Sequence, residues 1–173
     1  MKNGIVDVGG GLRGIYAAGV LDYCMERNIN QDDYNILMAS SSIPFVFKPY
    51  TVQGKPYYDG ALGDPVPVEK AFQLGCDRVV VILTKPEHEL RSPGKDEKLA
   101  VHIRKKYPAA AEKLCLRAQQ YNESVALAKE YARQGKVLIV SPDDTCGVDT
   151  LKKDKESLKR LYEKGYKDGQ KIE

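Results

Sequence analysis

A glycine-rich turn near the start of the chain is where the sequence first points to chemistry. The stretch VDVGGGLRGIYAAGV, Val6 to Val20, places Gly9, Gly10 and Gly11 between an apolar run and a run with helical spacing. Three consecutive glycines carry a conformational entropy cost, and they let backbone N–H groups converge on a ligand because no Cβ blocks the approach. Three roles are open: a cradle for a nucleotide phosphate, an oxyanion hole for acyl transfer, or a tight strand-to-helix connection.

The phosphate cradle is the first of these interpretations. Gly9, Gly11 and Gly14 match the GxGxxG pattern of dinucleotide-binding turns, which lies between a strand and a helix. Asp32 and Asp33 fall near the distance expected for a ribose-binding acid, but they lie in a polar stretch rather than after a clear second strand. The chain has no GK[ST] sequence, so the lysine of a Walker P-loop is absent. The pattern alone does not select this role.

The oxyanion hole is the second interpretation. The N-terminus of a helix adds a partial positive charge to converging amides, and such a site binds a developing negative oxygen as readily as a phosphate. Arg13 follows the glycines and can brace the turn through the donors of its guanidinium. The turn is then a candidate part of an esterase.

Asp59, Gly60 and Ala61 form a second candidate for chemistry. An aspartate before a flexible Gly-Ala pair can present its carboxylate at the end of a strand, here after the aromatic pair Tyr57 and Tyr58. The alternative is an ordinary turn, because Asp-Gly is among the commonest turn pairs.

Cysteine, histidine and metal chemistry have little support in this chain. The two histidines, His88 and His102, lie in charge-rich surroundings, which argues against a Ser-His-Asp triad, a Cys-His enzyme and a histidine-based metal site. No CxxC pair occurs, so neither a zinc ribbon nor a redox motif is indicated. We expect no metal and no cofactor, and four reduced thiols: Cys24, Cys76, Cys115 and Cys146.

The elements that must position these candidates alternate between strands and helices. Gly4–Val8 is typical of a buried strand before the glycine turn, and Gly14–Arg27 has helical spacing after it. Two more buried strands are predicted over Arg78–Thr84 and Lys136–Val140. The remaining predictions are a strand or buried segment at Ile36–Ala39, a hairpin over Thr51–Tyr58, a short helix over Pro67–Leu74, a helix through Lys106, a longer one from Ala109 to Arg133, and a last one over Lys153–Tyr166. This alternation predicts an α/β fold with a mostly parallel sheet flanked by helices.

Size and composition fit one globular domain. The chain has 173 residues, of which 42% are hydrophobic, and its formal net charge is +3. This small charge gives no reason to expect a nucleic acid partner, although the lysines near the C-terminus are compatible with an anionic membrane surface. No apolar run approaches the roughly 20 residues of a membrane helix, and the first residues lack the features of a signal peptide. We therefore expect a cytoplasmic protein.

Four segments together resemble the patatin-like phospholipases. These are GGGLRG at Gly9–Gly14, ASSSIP at Ala39–Pro44, YYDGALGDPVPVEKA at Tyr57–Ala71 and RVVVILTKP at Arg78–Pro86. They most resemble the bacterial branch of that family, which has a distinctive C-terminal region. Each segment alone is weakly diagnostic of the family. Their occurrence together, in this order, makes the resemblance specific.

The resemblance implies a Ser–Asp dyad hydrolase with a three-layer α/β/α fold. In that family the serine of a GxSxG elbow attacks the ester carbonyl of a lipid, and the aspartate of the DG[GA] motif is the general base. The matching positions make Asp59 the base, within the motif that Gly60 and Ala61 complete. The oxyanion hole would be formed by the turn residues Gly9, Gly10, Gly11, Leu12, Arg13 and Gly14. The substrate implied is a lipid or small ester.

The chain departs from the family at the nucleophile, because no GxSxG sequence occurs in it. A nucleophile elbow needs small flanking residues because its serine sits in a strained strand-to-helix turn. Ser40–Ser42 match a segment downstream of the elbow, and we interpret them as a polar turn or as lining of the cleft. We therefore predict a lipid acyl hydrolase domain that is inactive for lack of a nucleophile. The alternative is a non-catalytic module that binds an anion or a nucleotide at the glycine turn.

The organisation predicted is a single patatin-like domain over residues 1–173 that is truncated internally. Residues 1–29 carry the first strand, the oxyanion turn and the first helix, residues 36–86 carry the Asp-Gly-Ala region and the core strand, and residues 95–173 form a helical region with one further strand. A segment on the order of a hundred residues is missing relative to a full α/β hydrolase domain. The junction falls around Ile29–Gln31.

Overall fold

A three-stranded parallel sheet lies at the centre of the chain. The computed structural model describes residues 1–28, 40, 42, 48–57, 59–150 and 154–173. The strands are β1 (Asn3–Asp7), β2 (Tyr50–Val52), β3 (Lys55–Tyr57), β4 (Arg78–Ile82) and β5 (Val137–Val140). The helices are α1 (Gly14–Glu26), α2 (Val68–Gln73), α3 (Gly94–Ile103), α4 (Pro108–Arg133) and α5 (Lys155–Gly169), with short 3₁₀ turns at Gly11–Arg13, Gly60–Leu62 and Gln170–Ile172.

The sheet has the strand order β1-β4-β5, and both pairings are parallel. In register, Asp7 at the end of β1 lies beside Ile82 at the end of β4, and Ile82 lies beside Val140 at the end of β5. The carboxyl ends of the three strands therefore meet at one edge, which is where ligands bind in open α/β sheets. β2 and β3 form a separate antiparallel hairpin with Gly54 in its turn at a φ of 77°.

Helices cover both faces of this sheet, because alternate strand residues point to opposite sides. On one face, Val79 and Val81 pack against α4 through Tyr121 and Val125, together with Val68 of α2. On the other face, a second core contains residues of the sheet, of α1 and of α5: Ile82, Val140, Tyr16, Val20 and Leu161. This arrangement confirms the predicted α/β fold with a parallel sheet flanked by helices.

The last helix, α5, packs closely along α1. A Cβ added to Gly19 would overlap the carbonyl oxygen of Tyr162, and a Cβ added to Gly165 would overlap that of Tyr16, so only glycine permits this approach. Tyrosines from both helices donate hydrogen bonds to carboxylates across the contact: Tyr16 to Asp168 at 2.7 Å, Tyr162 to Asp22 at 2.8 Å, and Tyr166 to Glu26. The two helices are therefore joined by backbone proximity and by polar contacts.

A smaller core joins the Asp-Gly-Ala region to the helices that follow β4. Ala100 and Ile103 of α3 pack against Ala111 and Leu114 of α4, and Leu62 of the second 3₁₀ turn packs against this cluster. The segment that carries Asp59 thus packs against α3 and α4 through Leu62.

Most predicted elements are found with their ends shifted by a few residues. The helix predicted through Lys106 ends at Ile103, and the last helix begins at Lys155 and continues to Gly169, past its predicted end at Tyr166. The strand or buried segment predicted at Ile36–Ala39 lies outside the described residues, as does the junction predicted at Ile29–Gln31.

Candidate functional site

The glycine turn has the backbone conformation that its sequence requires. Gly9, Gly10 and Gly11 have φ values of 66°, 147° and 61°, all in the region that L side chains rarely adopt. Thr84, which follows β4, donates its hydroxyl hydrogen bond to the carbonyl oxygen of Gly9. A Cβ on Gly10 would overlap the hydroxyl oxygen of that threonine, and one on Gly11 would lie 2.7 Å from the carbonyl oxygen of Thr150.

Four of the six amides predicted for the oxyanion hole are engaged within the fold. Gly9 N donates to Asp7 Oδ1 at 3.0 Å, and Leu12 N donates to Thr150 O at 3.0 Å. The amides of Arg13 and Gly14 bond to carbonyl oxygens of the turn itself. Within the described residues, the amides of Gly10 and Gly11 have no acceptor. The capacity of the turn to bind an anion therefore rests on two adjacent N–H groups.

Asp7 holds the turn from the end of β1. Burial raises the pKa of its carboxyl group, and the hydrogen bond from Gly9 N opposes this effect. The carboxyl is thus in an environment that disfavours its charged form.

Arg13 is buried below the turn, with 8% of its surface exposed. Its Nη1 donates to Thr150 Oγ1 at 2.9 Å and lies 3.6 Å from a carboxylate oxygen of Asp149. Its Nε is buried and has no hydrogen-bond partner in the part of the chain that the structure describes. Burial lowers the pKa of the guanidinium, Asp149 partly restores it, and the cation of Arg91 lowers it further. These contacts connect Arg13 to the segment before α5, and its bracing of the turn stays a prediction.

Asp59 caps the second 3₁₀ turn and has one carboxylate oxygen left over. Its Oδ1 accepts a hydrogen bond from Ala61 N at 2.8 Å, and its own amide donates to Ser42 O at 2.9 Å. Its Oδ2 has no donor among the residues described. Asp59 is therefore held in place through Oδ1 and through its own amide.

One cavity brings the turn and Asp59 together. It has a volume of about 130 Å³, and Gly9, Gly10, Gly11, Arg13, Asp59 and Ala61 line it together with Val8, Pro65, Thr84, Lys85, Arg91, Arg117, Tyr121 and Thr150. Of the predicted site residues, Leu12, Gly14 and Gly60 do not line it. The two motifs, separated by about fifty residues of sequence, thus share one cleft at the carboxyl edge of the sheet.

Two arginines of the cleft are fixed by a single buried carboxylate. Asp96, in the first turn of α3, accepts bidentate hydrogen bonds from Arg91 and from Arg117 of α4, with both Nε atoms at 3.1 Å from Oδ2. Asn122 receives the amide hydrogen bond of Arg91 and donates to its carbonyl oxygen. Both guanidinium groups are therefore held in place, and one carboxylate balances two positive charges.

Sequence reasoning missed these cationic residues and the threonines. Thr84 and Lys85 follow β4, so the parallel pairing with β1 was a usable signal that they share an edge with the turn. Arg117 and Tyr121 are four residues apart on α4 and so lie on one face of that helix. For Arg91 we find no local signal, because its place depends on Asp96 and Asn122.

Two serines of the ASSSIP segment lie against the Asp-Gly-Ala region. A Cβ built on Gly60 would be 2.9 Å from Ser40 Oγ, and the carbonyl of the buried Ser42 accepts the amide of Asp59. Ser41 lies outside the described residues. None of the described residues that line the cavity is a serine.

In the described ranges, no group of three or more His, Cys, Asp or Glu side chains is placed to hold a metal ion. None of the helices described is both long and apolar enough to cross a membrane.

Comparison with protein families divides the chain into two matched segments. Residues 30–72 match the family model described as Patatin-like phospholipase, and residues 107–172 match one described as Domain of unknown function (DUF6363). A search of curated proteins returned no match. The first match includes Asp59, Gly60 and Ala61 but begins after the glycine turn. It supports the patatin-like lipid acyl hydrolase family at a coarse level.

Proposed function

We propose that the chain is a patatin-like lipid acyl hydrolase domain, of the bacterial branch, that lacks its nucleophile and does not turn over esters. The cavity that the glycine turn and Asp59 line together is the observation that carries this proposal. The family match over residues 30–72 supports it from the sequence side, since it contains the Asp-Gly-Ala motif.

The geometry fits the two parts of a Ser–Asp dyad reaction that need no serine. The amides of Gly10 and Gly11 have no acceptor in the described chain and would bind the oxyanion of the tetrahedral intermediate. Asp59 Oδ2 would accept the proton of the attacking hydroxyl, while Oδ1 holds the carboxylate in place through Ala61 N. Without a nucleophile, the rate falls by several powers of ten, because only binding and oxyanion effects remain.

The substrate class we propose is a lipid or small ester. The cavity of about 130 Å³ is large enough for the reacting carbonyl group of such an ester. A peripheral contact with an anionic membrane surface and a cytoplasmic location remain predictions from the sequence.

The nucleotide-binding alternative has less support. Ligand pockets are typically about 300–1,000 Å³, well above the volume of this cavity. Asp32 and Asp33, the candidates for a ribose-binding acid, lie outside the described residues.

The proposed internal deletion lies between the glycine turn and the Patatin match. The match begins at residue 30, within the junction expected at Ile29–Gln31, and no GxSxG sequence stands on either side of it. Sequencing the coding region across residues 28–35, together with the intact mass, tests whether an elbow segment belongs there.

Ester turnover tests the proposal directly. We expect the purified chain to hydrolyse p-nitrophenyl butyrate no faster than an Asp59→Asn variant, and we expect no serine to be labelled by a fluorophosphonate probe. Both follow from the lack of a nucleophile in the cleft. Rapid turnover that Asp59→Asn abolishes, with a labelled serine, would contradict inactivity while supporting the base role of Asp59.

Ser40 provides the matched control for that experiment. Its hydroxyl oxygen lies 2.9 Å from the position that a Cβ on Gly60 would occupy, so it lies against the Asp-Gly-Ala motif. If a label is found, a Ser40→Ala variant distinguishes a substitute nucleophile at this position from labelling at another serine.

A further inference from the structure

The cleft contains more positive charge than ester hydrolysis requires. Four of the described side chains that line it are cationic, namely Arg13, Lys85, Arg91 and Arg117, and Asp59 is the single anionic one among them. A Ser–Asp dyad acts on a neutral ester carbonyl, so this charge calls for a separate explanation.

The cations are held in place before any ligand binds. Arg91 and Arg117 share the buried carboxylate of Asp96, which leaves one of their two positive charges unbalanced. Among the residues that the structure describes, Lys85 has one ion pair, with Glu89 at 3.7 Å, and 26% of its side chain is exposed. Such a preorganised set of donors loses little conformational entropy when an anion binds.

Donors without an acceptor in the described part of the chain point to the same kind of ligand. Arg13 is nine-tenths buried and lines the cavity, and its Nε has no partner among the described residues. The amides of Gly10 and Gly11 are likewise without described acceptors. Burying the Arg13 guanidinium with an unpaired Nε is costly unless an anion completes the site. The amides of the half-buried Gly10 and the exposed Gly11 can donate to the same anion.

We propose that the cleft binds a phosphate group, which the amides of Gly10 and Gly11 and the cationic side chains of Lys85, Arg91 and Arg117 recognise. A phosphate is tetrahedral, as is the intermediate of acyl transfer, and carries the charge that these donors lack. The cavity of about 130 Å³ has the volume of about four water molecules, which suits one such group. The inference rests on the cleft of the proposed function and gives it a ligand class.

Part of this recognition comes from outside the Patatin match. Lys85 and Arg91 lie between the two matched segments, and Arg117 lies within the segment that matches the Domain of unknown function (DUF6363). The helix α4 thus contributes Arg117 and Tyr121 to the cleft wall.

Isothermal titration with inorganic phosphate tests the inference on the full chain. We expect saturable binding that weakens as sodium chloride is added, because exposed charges are screened. Dihexanoyl phosphatidic acid and dihexanoyl phosphatidylcholine, used as dissolved monomers, separate the two sources of phosphate. Tighter binding of the phosphatidic acid than of inorganic phosphate indicates a lipid headgroup, and equal binding indicates a free phosphate.

Two variants, one that removes a positive charge from the cleft and one that removes a negative charge, make the test specific. Lys85→Gln removes a cation and should weaken phosphate binding about three- to tenfold, whereas Asp59→Asn removes the carboxylate and should strengthen it by a similar factor. Lys167→Gln is the matched control, because this exposed lysine lines a different cavity beside α5 and should leave binding unchanged. Circular dichroism verifies that each variant is folded.

The absence of any binding by the unaltered chain would overturn the inference, as would equal effects of Lys85→Gln and Lys167→Gln. Neither result depends on ester turnover. A chain that neither hydrolyses esters nor binds phosphate would therefore refute the phosphate site, and it would not contradict the proposed function.

Discussion

At the scale of single residues, neighbouring glycines of the first turn have different constraints. A Cβ on Gly10 would overlap the hydroxyl of Thr84, which bonds to the carbonyl of Gly9, whereas a Cβ on Gly9 meets nothing within 4 Å. Both have positive φ, so alanine is strained at either position. The pair therefore separates the cost of backbone strain from the cost of a clash inside the site.

We predict that Gly10→Ala lowers the free energy of unfolding by about 2–4 kcal/mol, because strain and steric overlap both act there. Gly9→Ala should cost about 1 kcal/mol, since strain alone acts. Urea denaturation followed by circular dichroism measures both. Equal losses would show that Thr84 does not confine the turn at Gly10.

The sequence indicated part of the candidate site at this scale. Gly9, Gly10, Gly11 and Asp59 were named from their residue types and from the family resemblance, and they line one cavity, whereas Gly14 and Gly60 do not. Their catalytic roles stay predictions. Arg91 and Arg117 were not anticipated, because a charged residue in a loop or on a helix is usually solvated and only the buried Asp96 makes them part of the cleft.

At the scale of elements, the contact between α1 and α5 depends on glycines in helix interiors. Glycine there is unfavourable by roughly 1 kcal/mol relative to alanine, so it requires a compensating contact. The compensation is the approach of Gly165 to the backbone of Tyr16, with Gly19 against Tyr162 on the other side. The four tyrosine–carboxylate bonds, which include Tyr23 to Glu173, follow from that approach.

We expect Gly165→Ala to destabilise the chain by about 3 kcal/mol or more, because the new methyl group would overlap backbone atoms of Tyr16 that cannot move away. Gly94→Ala at the start of α3 is the control. No atom lies within 4 Å of its added Cβ, so the effect should be neutral or stabilising by up to about 1 kcal/mol. Thermal unfolding of both variants provides the comparison, and a Gly165→Ala melt like that of the parent chain would refute the packing argument.

Elements themselves were largely predictable, and their partners were not. Continuous β-branched runs gave β4 and β5, and apolar spacing gave α1 and α4. The association of α1 with α5 was not visible, since it joins residues about 140 positions apart and is encoded by isolated glycines. The spacing of apolar residues predicts which face of a helix or strand is buried, but it does not predict which other element packs against that face.

At the scale of the whole molecule, the two segments that match different families share their cores. Val66 and Val68, from the Patatin match, pack with Tyr121 and Val125 of α4, which belong to the other match. The second core joins α1, which lies outside both matched segments, to α5. The single-domain organisation stays a prediction from the sequence, and the first of these cores is our reason for testing it.

We therefore predict that residues 104–173, produced alone, do not unfold cooperatively. The isolated segment would expose the faces of α4 and α5 that pack against the sheet and α1. Differential scanning calorimetry of this fragment beside the full chain tests the point. A sharp transition in the fragment at the temperature of the full chain would indicate an independent C-terminal domain.

The bond from Leu12 N to the carbonyl of Thr150 has a consequence for engineering. A chimera that joins the first half of this chain to another hydrolase needs a carbonyl in place of that of Thr150 to accept the hydrogen bond of Leu12 N. Without it, we expect the glycine turn to lose its conformation. Substitutions at Asp149 and Thr150 are therefore a way to change which ligand the glycine turn binds without substituting any of its glycines.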